Sequence, residues 1–280
     1  MLLQHLSSPA IRWAAGGWVF FIAENTILSE NRTYLIEQLG DANYHNFYGL
    51  CSTSAVGSIL YAYFYKNKGG PSVSLPLMRV PSFVFLSLGL GMASQTLPKL
   101  QLPVSYVSEG SSNTVAQNPG PQPEPPTKAS FQVRCPFDFT DSKQAADLWG
   151  VERITRHPGL WSMALAGIGQ ALLVPTLPQR VWWSMPTLVA LVGGWHTDSR
   201  FERGMGGTLT PEYKDKTSNI PFASLIMGKQ ETNAWEKLIL EEVKPLNVLL
   251  ATGMAGLWVM SRRGGNPTKI SNTIASTLVK

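Results

Sequence analysis

Arg153–Gln170, RITRHPGLWSMALAGIGQ, is the stretch whose reading decides the fold. Arg153, Arg156 and His157 cluster ahead of Pro158, and from Gly159 to Ala171 there is no charge. Proline in a first helical turn costs little, because the first N–H groups of a helix lack intrahelical partners. The pattern predicts an apolar helix with a basic collar, its cationic heads at a membrane interface and their stems in the apolar layer. The next apolar run ends on a similar cluster, GGWHTDSRFER (Gly193–Arg203). Two consecutive membrane helices form a hairpin, so the start of one and the end of the next share a face. Arg156, His157, His196, Asp198 and Arg200 are therefore expected to meet in one small area, which is the candidate site.

Composition points the same way. A chain of 280 residues can hold one or two soluble domains, but only 15% of its residues are charged, against about 25% in soluble domains. Several uncharged runs approach the roughly 20 residues a membrane helix needs. The formal charge of +5 is spread along the chain. No basic stripe interleaved with aromatics suggests nucleic acid, so none is expected as a partner. Cys51 in an apolar run and Cys135 in a loop make neither a cysteine metal site nor an expected disulfide. With no charge before Arg12 and Glu24 inside the first apolar run, no cleavable secretory signal is expected.

The expected class is all-α: an integral membrane helical bundle of about six transmembrane helices with a long Pro-rich loop. The spans are read as Ala10–Leu28, Asn46–Tyr65, Pro81–Leu97, Pro158–Leu173, Val181–Trp195 and Pro245–Met260. An amphipathic interfacial segment, with Leu35, Ile36 and Leu39 at helical spacing and Gly40 as C-cap, links the first two. Small residues in the second span suit close helix packing in lipid. Trp182 and Trp183 read as an interfacial belt opening the fifth span, and His196–Lys237 as a polar segment. The Pro/Gly-rich loop covers about 100–130, and Phe131, Phe137, Phe139 and Trp149 after it are candidates for docking on the membrane surface. Residues 1–262 form one membrane domain and 263–280 a polar tail. Lys66, Lys68, Arg79, Arg180, Arg262 and Arg263 fall on one side, which the positive-inside rule makes the inner one. No internal repeat supports an inverted-repeat transporter.

Glu24 and Asn25 are candidates because a carboxylate within a span is costly and usually functional. Glu24 is placed to pair with Arg156 or Arg12; alternatively the first helix ends early and Glu24 sits among lipid headgroups. His157 and His196 are the candidate cofactor ligands, for haem if any; the alternative is that they hydrogen-bond carboxylates or lipid phosphates. His5 and His45 read as interfacial residues. No catalytic residue and no metal site is assigned. Phosphate loops, serine elbows and His-Glu-x-x-His helices are absent from the sequence.

The blocks RITRHP (Arg153–Pro158), GGWHTDSRFER (Gly193–Arg203), KTSNIPFASLIMGKQ (Lys216–Gln230) and LIEQLGDANYHNFYGL (Leu35–Leu50) resemble signature blocks of the NnrU family of polytopic membrane proteins. That family includes relatives of the plastid 15-cis-zeta-carotene isomerase. The resemblance implies, for that isomerase, a haem b with axial histidines acting on a poly-cis carotene. Carried over singly, the first ligand position is Asn25 within AENTIL, the second is Gln170, and a further family histidine falls at Val189. What is retained of the family pattern is Arg156, His157, Asp198, Arg200, Pro221 and Phe222; with Glu24 and Asn25, the residues Arg156, Asp198 and Arg200 are read as an interfacial frame.

The leading expectation is an NnrU-like membrane protein without haem, an accessory or structural subunit in an organellar membrane, plastid or mitochondrion. Its expected partners are the lipid bilayer and other membrane-complex subunits. The alternative is a haem-dependent cis-trans isomerase of a carotenoid-like lipid, with His157 or His196 holding the iron. A third reading is transport of a small solute, from Glu24 and the Gly-rich spans.

Overall fold

The computed structural model describes residues 8–67, 78–96, 104–107, 130–133 and 148–262. Helix α1, Pro9–Glu30, opens with the Ser8 side chain accepting from Ile11 N–H and Pro9 in the first turn. It does not end early at Glu24. Helix α2, Arg32–Leu39, stops at Gly40, whose φ of 79° suits a residue without Cβ. Helix α3, Asp41–Tyr61, widens into a π turn over Ala62–Lys66. Helix α4 is Arg79–Thr96. Strands β1 (Val104–Val107) and β2 (Ser130–Val133) pair antiparallel on either side of the Pro-rich segment.

A 3-10 turn, Gly150–Glu152, leads to the hairpin of α5, Pro158–Leu173, and α6, Leu177–Glu202. The α6 helix continues well past Trp195, because His196–Glu202 extends it instead of starting a polar connector. Short helices α7 (Pro211–Lys216), α8 (Ala223–Ile226) and α9 (Ala234–Glu236) follow. A π segment, Lys237–Glu242, continues α9, and α10 is Pro245–Ser261. His5, Cys135, Phe137, Phe139, most of the Pro-rich loop and the tail 263–280 lie outside the described residues.

The six long helices match the six expected spans in place. By length and mean hydropathy, however, no single described helix is long and apolar enough to cross a membrane. Ala234–Glu242 and Pro245–Ser261 pass together, bent by 87° at their break. The reasons differ by helix. At 16 residues, α5 rises only about 24 Å, short of a hydrocarbon core of about 30 Å. The longer α1 and α6 carry Glu24, Asn25 and the His196–Glu202 charges.

Packing neighbours run in the order α3, α1, α6, α5, α4, α10. The central core joins Trp18, Trp161, Leu165, Trp182 and Val189. Trp182 is thus not part of an interfacial belt. Its indole N–H donates to Ile59 O at 3.0 Å, and its ring meets Trp18 edge-on. Leu35 and Ile36 of α2 pack on Leu28, Tyr44 and Tyr48, while Leu39 stays exposed.

The tightest seam is α4 on α5. Ser82 Oγ donates to Gly169 O at 2.7 Å, and a Cβ on Gly89 would stand 2.7 Å from Ser162 O and 3.0 Å from Ala166 Cα. Small residues at such a seam let the two backbones approach closely and gain van der Waals contact. Gly89→Ala is expected to cost about 1–3 kcal/mol by forcing the helices apart. Gly91→Ala, whose Cβ would meet nothing within 4 Å, is expected to be neutral or slightly stabilising. Thermal unfolding of both variants in one detergent checks the contrast.

Candidate functional site

The RITRH segment is buried, not an interfacial collar: Arg153, Thr155, Arg156 and His157 are each at most 7% exposed. Cations that far from water need specific partners, and each has them. Arg153 makes a forked contact with Glu242, Nε to Oε2 at 2.7 Å and Nη2 to Oε1 at 2.8 Å. Gly150 N–H donates to the same carboxylate at 2.7 Å. The π segment after α9 carries Glu242 to this position, and Val243 N–H closes it on Leu238 O. Arg156 reaches Asp198 Oδ2 at 3.1 Å and donates to Thr217 O at 3.0 Å. His157 Nε2 lies 2.9 Å from Asp198 Oδ1.

The segment from Lys216 to Gln230 forms the other wall. Arg156 N–H donates to Ser218 O at 2.9 Å and Phe222 N–H to Ile154 O at 2.7 Å. Thr155 Oγ1 donates to Asn219 O, Trp161 Nε1 to Asn219 Oδ1, and Gln230 Nε2 to Arg153 O. Phe222 holds a left-handed backbone, φ 63°, rare for a bulky residue. Its backbone bond to Ile154 and its ring stacked on Trp235, 6.1 Å apart and nearly parallel, hold it there. The RITRHP and TSNIPFA blocks are thus two sides of one knot.

Arg156, His157 and Asp198 come together as the hairpin requires, but His196 does not join them. On a helix, residues two apart point about 200° away from each other. Asp198 therefore faces the start of α5 while His196 faces α1, where its Nε2 lies 2.7 Å from Ser29 Oγ. Arg200 is buried as well. At the same end, Arg203 pairs with Glu30, the second bond 2.9 Å long, and holds that carboxyl below the usual carboxylate range. Burial pushes the Tyr213 hydroxyl up.

A second polar network lies along the α1–α3 seam. Glu24 pairs with neither Arg156 nor Arg12: its Oε1 accepts from Asn25 Nδ2 and from Ser52 Oγ at 2.9 Å. Its Oε2 has no hydrogen-bond partner among the described residues. Fully buried Asn25 accepts from Tyr48 OH at 2.6 Å and donates to Phe21 O at 2.8 Å. His45 is buried rather than interfacial, 3.5 Å from Asp41. Tyr48, Ser52, Ser29 and Glu242 escape a reading by sequence because nothing local ties them to partners on other helices. Only the place of Tyr48 inside the LIEQLGDANYHNFYGL block marks it.

These contacts define a helical bundle whose RITRHP and TSNIPFA blocks close on one another in its interior. The family model described as NnrU protein matches residues 14–261, and the chain belongs to the NnrU family. No curated protein and no solved structure matches it.

The residues that the resemblance sets at the isomerase's ligand positions do not fit an axially ligated haem. Asn25 is spent on Tyr48, Glu24 and Phe21. Gln170 Oε1 accepts from Trp258 Nε1 at 2.6 Å, and its amide nitrogen has no lone pair to offer. Val189 is apolar and buried. His157 and His196 face different helices, each with Nε2 in a hydrogen bond. Among the described residues, no three His, Cys, Asp or Glu side chains could hold a metal ion.

Proposed function

We propose that this NnrU-family chain is an integral protein of an organellar membrane, plastid or mitochondrion, that serves as an accessory or structural subunit without haem. The observation that carries the reading is the use of Asn25 and Gln170: both amides tie helices together, one to Tyr48 and the other to Trp258. Positions that would hold iron in the related isomerase here hold the bundle. The organelle rests on that resemblance alone.

Membrane placement is supported by the outer faces. Leu249, Leu250, Met254, Leu257 and Met260 on α10, with Leu50 and Tyr65 at the opposite edge, are each more than half exposed. Apolar faces this continuous mark a membrane or a protein partner. Six helices packed side by side, with large apolar side chains exposed on the outer helices, suit a thin or locally thinned bilayer, where short helices are accommodated at modest cost.

The deciding experiment is an absorption spectrum of the detergent-purified protein, oxidised and dithionite-reduced, with haem quantified per chain. The expected result is no stoichiometric Soret band, with the protein migrating in a larger complex after mild extraction. A band of one haem per chain that shifts on reduction and vanishes in His157→Ala or His196→Ala overturns the reading in favour of a redox isomerase.

A further inference from the structure

Beside the Glu24 network, the α1–α3 seam opens into a groove of about 320 Å³, lined by Arg12, Trp13, Gly16, Gly17, Phe20 and Ser58. That is at the lower end of the volumes that hold small ligands. The adjacent glycines make it. A Cβ on Gly17 would stand 2.8 Å from Ser58 Oγ and 2.9 Å from Ile59 N, so Gly17 lets α3 approach. A Cβ on Gly16 would meet nothing within 4 Å, so the neighbouring position leaves the trough empty. The mouth is cationic. Arg12 lines it, and Lys66, at the end of the π turn of α3, holds its Nζ 5.9 Å above the Trp13 ring and 5.4 Å above Tyr61. Helix α1 leaves this end and α3 returns to it, so both cations stand at the same level of the bundle. Among the described residues, no carboxylate lines the groove.

We propose that this groove is a selective site for an anionic phospholipid, its phosphate between Arg12 and Lys66 and one acyl chain over Gly16 against Trp13 and Phe20. The assignment rests on the membrane placement proposed above. A bare apolar trough takes any lipid; two cations at its mouth make it discriminate, since a basic side chain near a membrane surface favours anionic lipid by about 1 kcal/mol, or about fivefold each. The aromatic rings under Lys66 fix its ammonium at the headgroup level. The π turn matters here, because the wide turn sets where Lys66 stands over Trp13.

Trp13 is its own reporter. The full chain is reconstituted in phosphatidylcholine vesicles containing brominated phosphatidylglycerol or brominated phosphatidylcholine, and the fluorescence lost in Trp13→Phe defines the Trp13 component. That component is expected to reach equal quenching at a roughly twenty-five-fold lower mole fraction of the anionic lipid. Arg12→Gln with Lys66→Gln should abolish the preference, and Gly16→Phe, filling open space, should remove quenching of Trp13 by either lipid. High salt should weaken the preference, because the mouth is exposed. Equal quenching by the two lipids, or an unchanged preference in Arg12→Gln/Lys66→Gln, overturns the proposal while leaving the membrane placement standing. Recovery of Trp13 fluorescence with excess inorganic phosphate also overturns it, assigning the mouth to a soluble anion. Absence of quenching of every tryptophan, Trp258 included, sinks the membrane placement and the site together.

Discussion

Arg153→Met is expected to lose about 3–5 kcal/mol of stability, the cost of leaving one partner of a buried ion pair uncompensated. Glu242 is 7% exposed and would keep only Gly150 N–H as a donor. Arg153→Met/Glu242→Leu, which removes both charges and fills their volume, should recover most of that loss, since an apolar pair of similar size often replaces a buried ion pair without penalty. Glu231 also approaches Arg153, at 3.9 Å, but is exposed and already bonded to Lys237; Glu231→Gln should change little. Thermal unfolding in detergent, read by circular dichroism for all three variants, checks the series. If Arg153→Met unfolds no sooner than Glu231→Gln, the pair is not closed to water and the account of the knot fails. The double variant separates a lost charge pair from a general packing defect, which it would not repair.

Asn25→Leu carries the second large effect. Leucine is close in volume, so the helix and its packing survive, but Tyr48 OH loses its acceptor and Glu24 loses its nearest donor. A buried hydroxyl left without a partner costs about 1–3 kcal/mol, and Glu24 would then rely on Ser52 alone. Tyr48→Phe is expected to cost less, because Asn25 keeps its bonds to Glu24 and Phe21 O. In Asn25→Leu/Tyr48→Phe the two losses should be sub-additive, since the orphaned hydroxyl is gone; a double-mutant cycle measures that coupling. Strict additivity would mean that the two side chains do not share a hydrogen bond. The cycle also bears on function: Asn25 sits where the related isomerase is expected to place an iron ligand, and coupling to Tyr48 is what a structural role demands.

Much of the architecture is legible in the sequence because helix formation is local. The apolar run from Gly159 to Leu173, Pro158 at its start and Pro175 just beyond place α5 to the residue. Gly40 marks a helix end for the same kind of reason. The hairpin rule even brings Arg156 and His157 to Asp198. Where local reading fails, the missing quantity is direction. His196 and Asp198 look like one cluster along the chain, yet the turn of α6 sends them to α1 and α5 separately. Trp182 reads as an interfacial residue by composition, and becomes core only because α1 and α3 close over it.

Sequence alone determined the all-α class of the bundle, the places of the six long helices and the family blocks. Periodicity, caps and residue identity are properties of neighbours in the chain, so they survive without coordinates. The tertiary structure alone decided that the basic RITRH stretch is buried, that Glu242 answers Arg153 from 89 residues away, and that Glu24 bonds Asn25 and Ser52 in place of an arginine. Charges are satisfied across space, and which carboxylate reaches which cation depends on how whole helices pack.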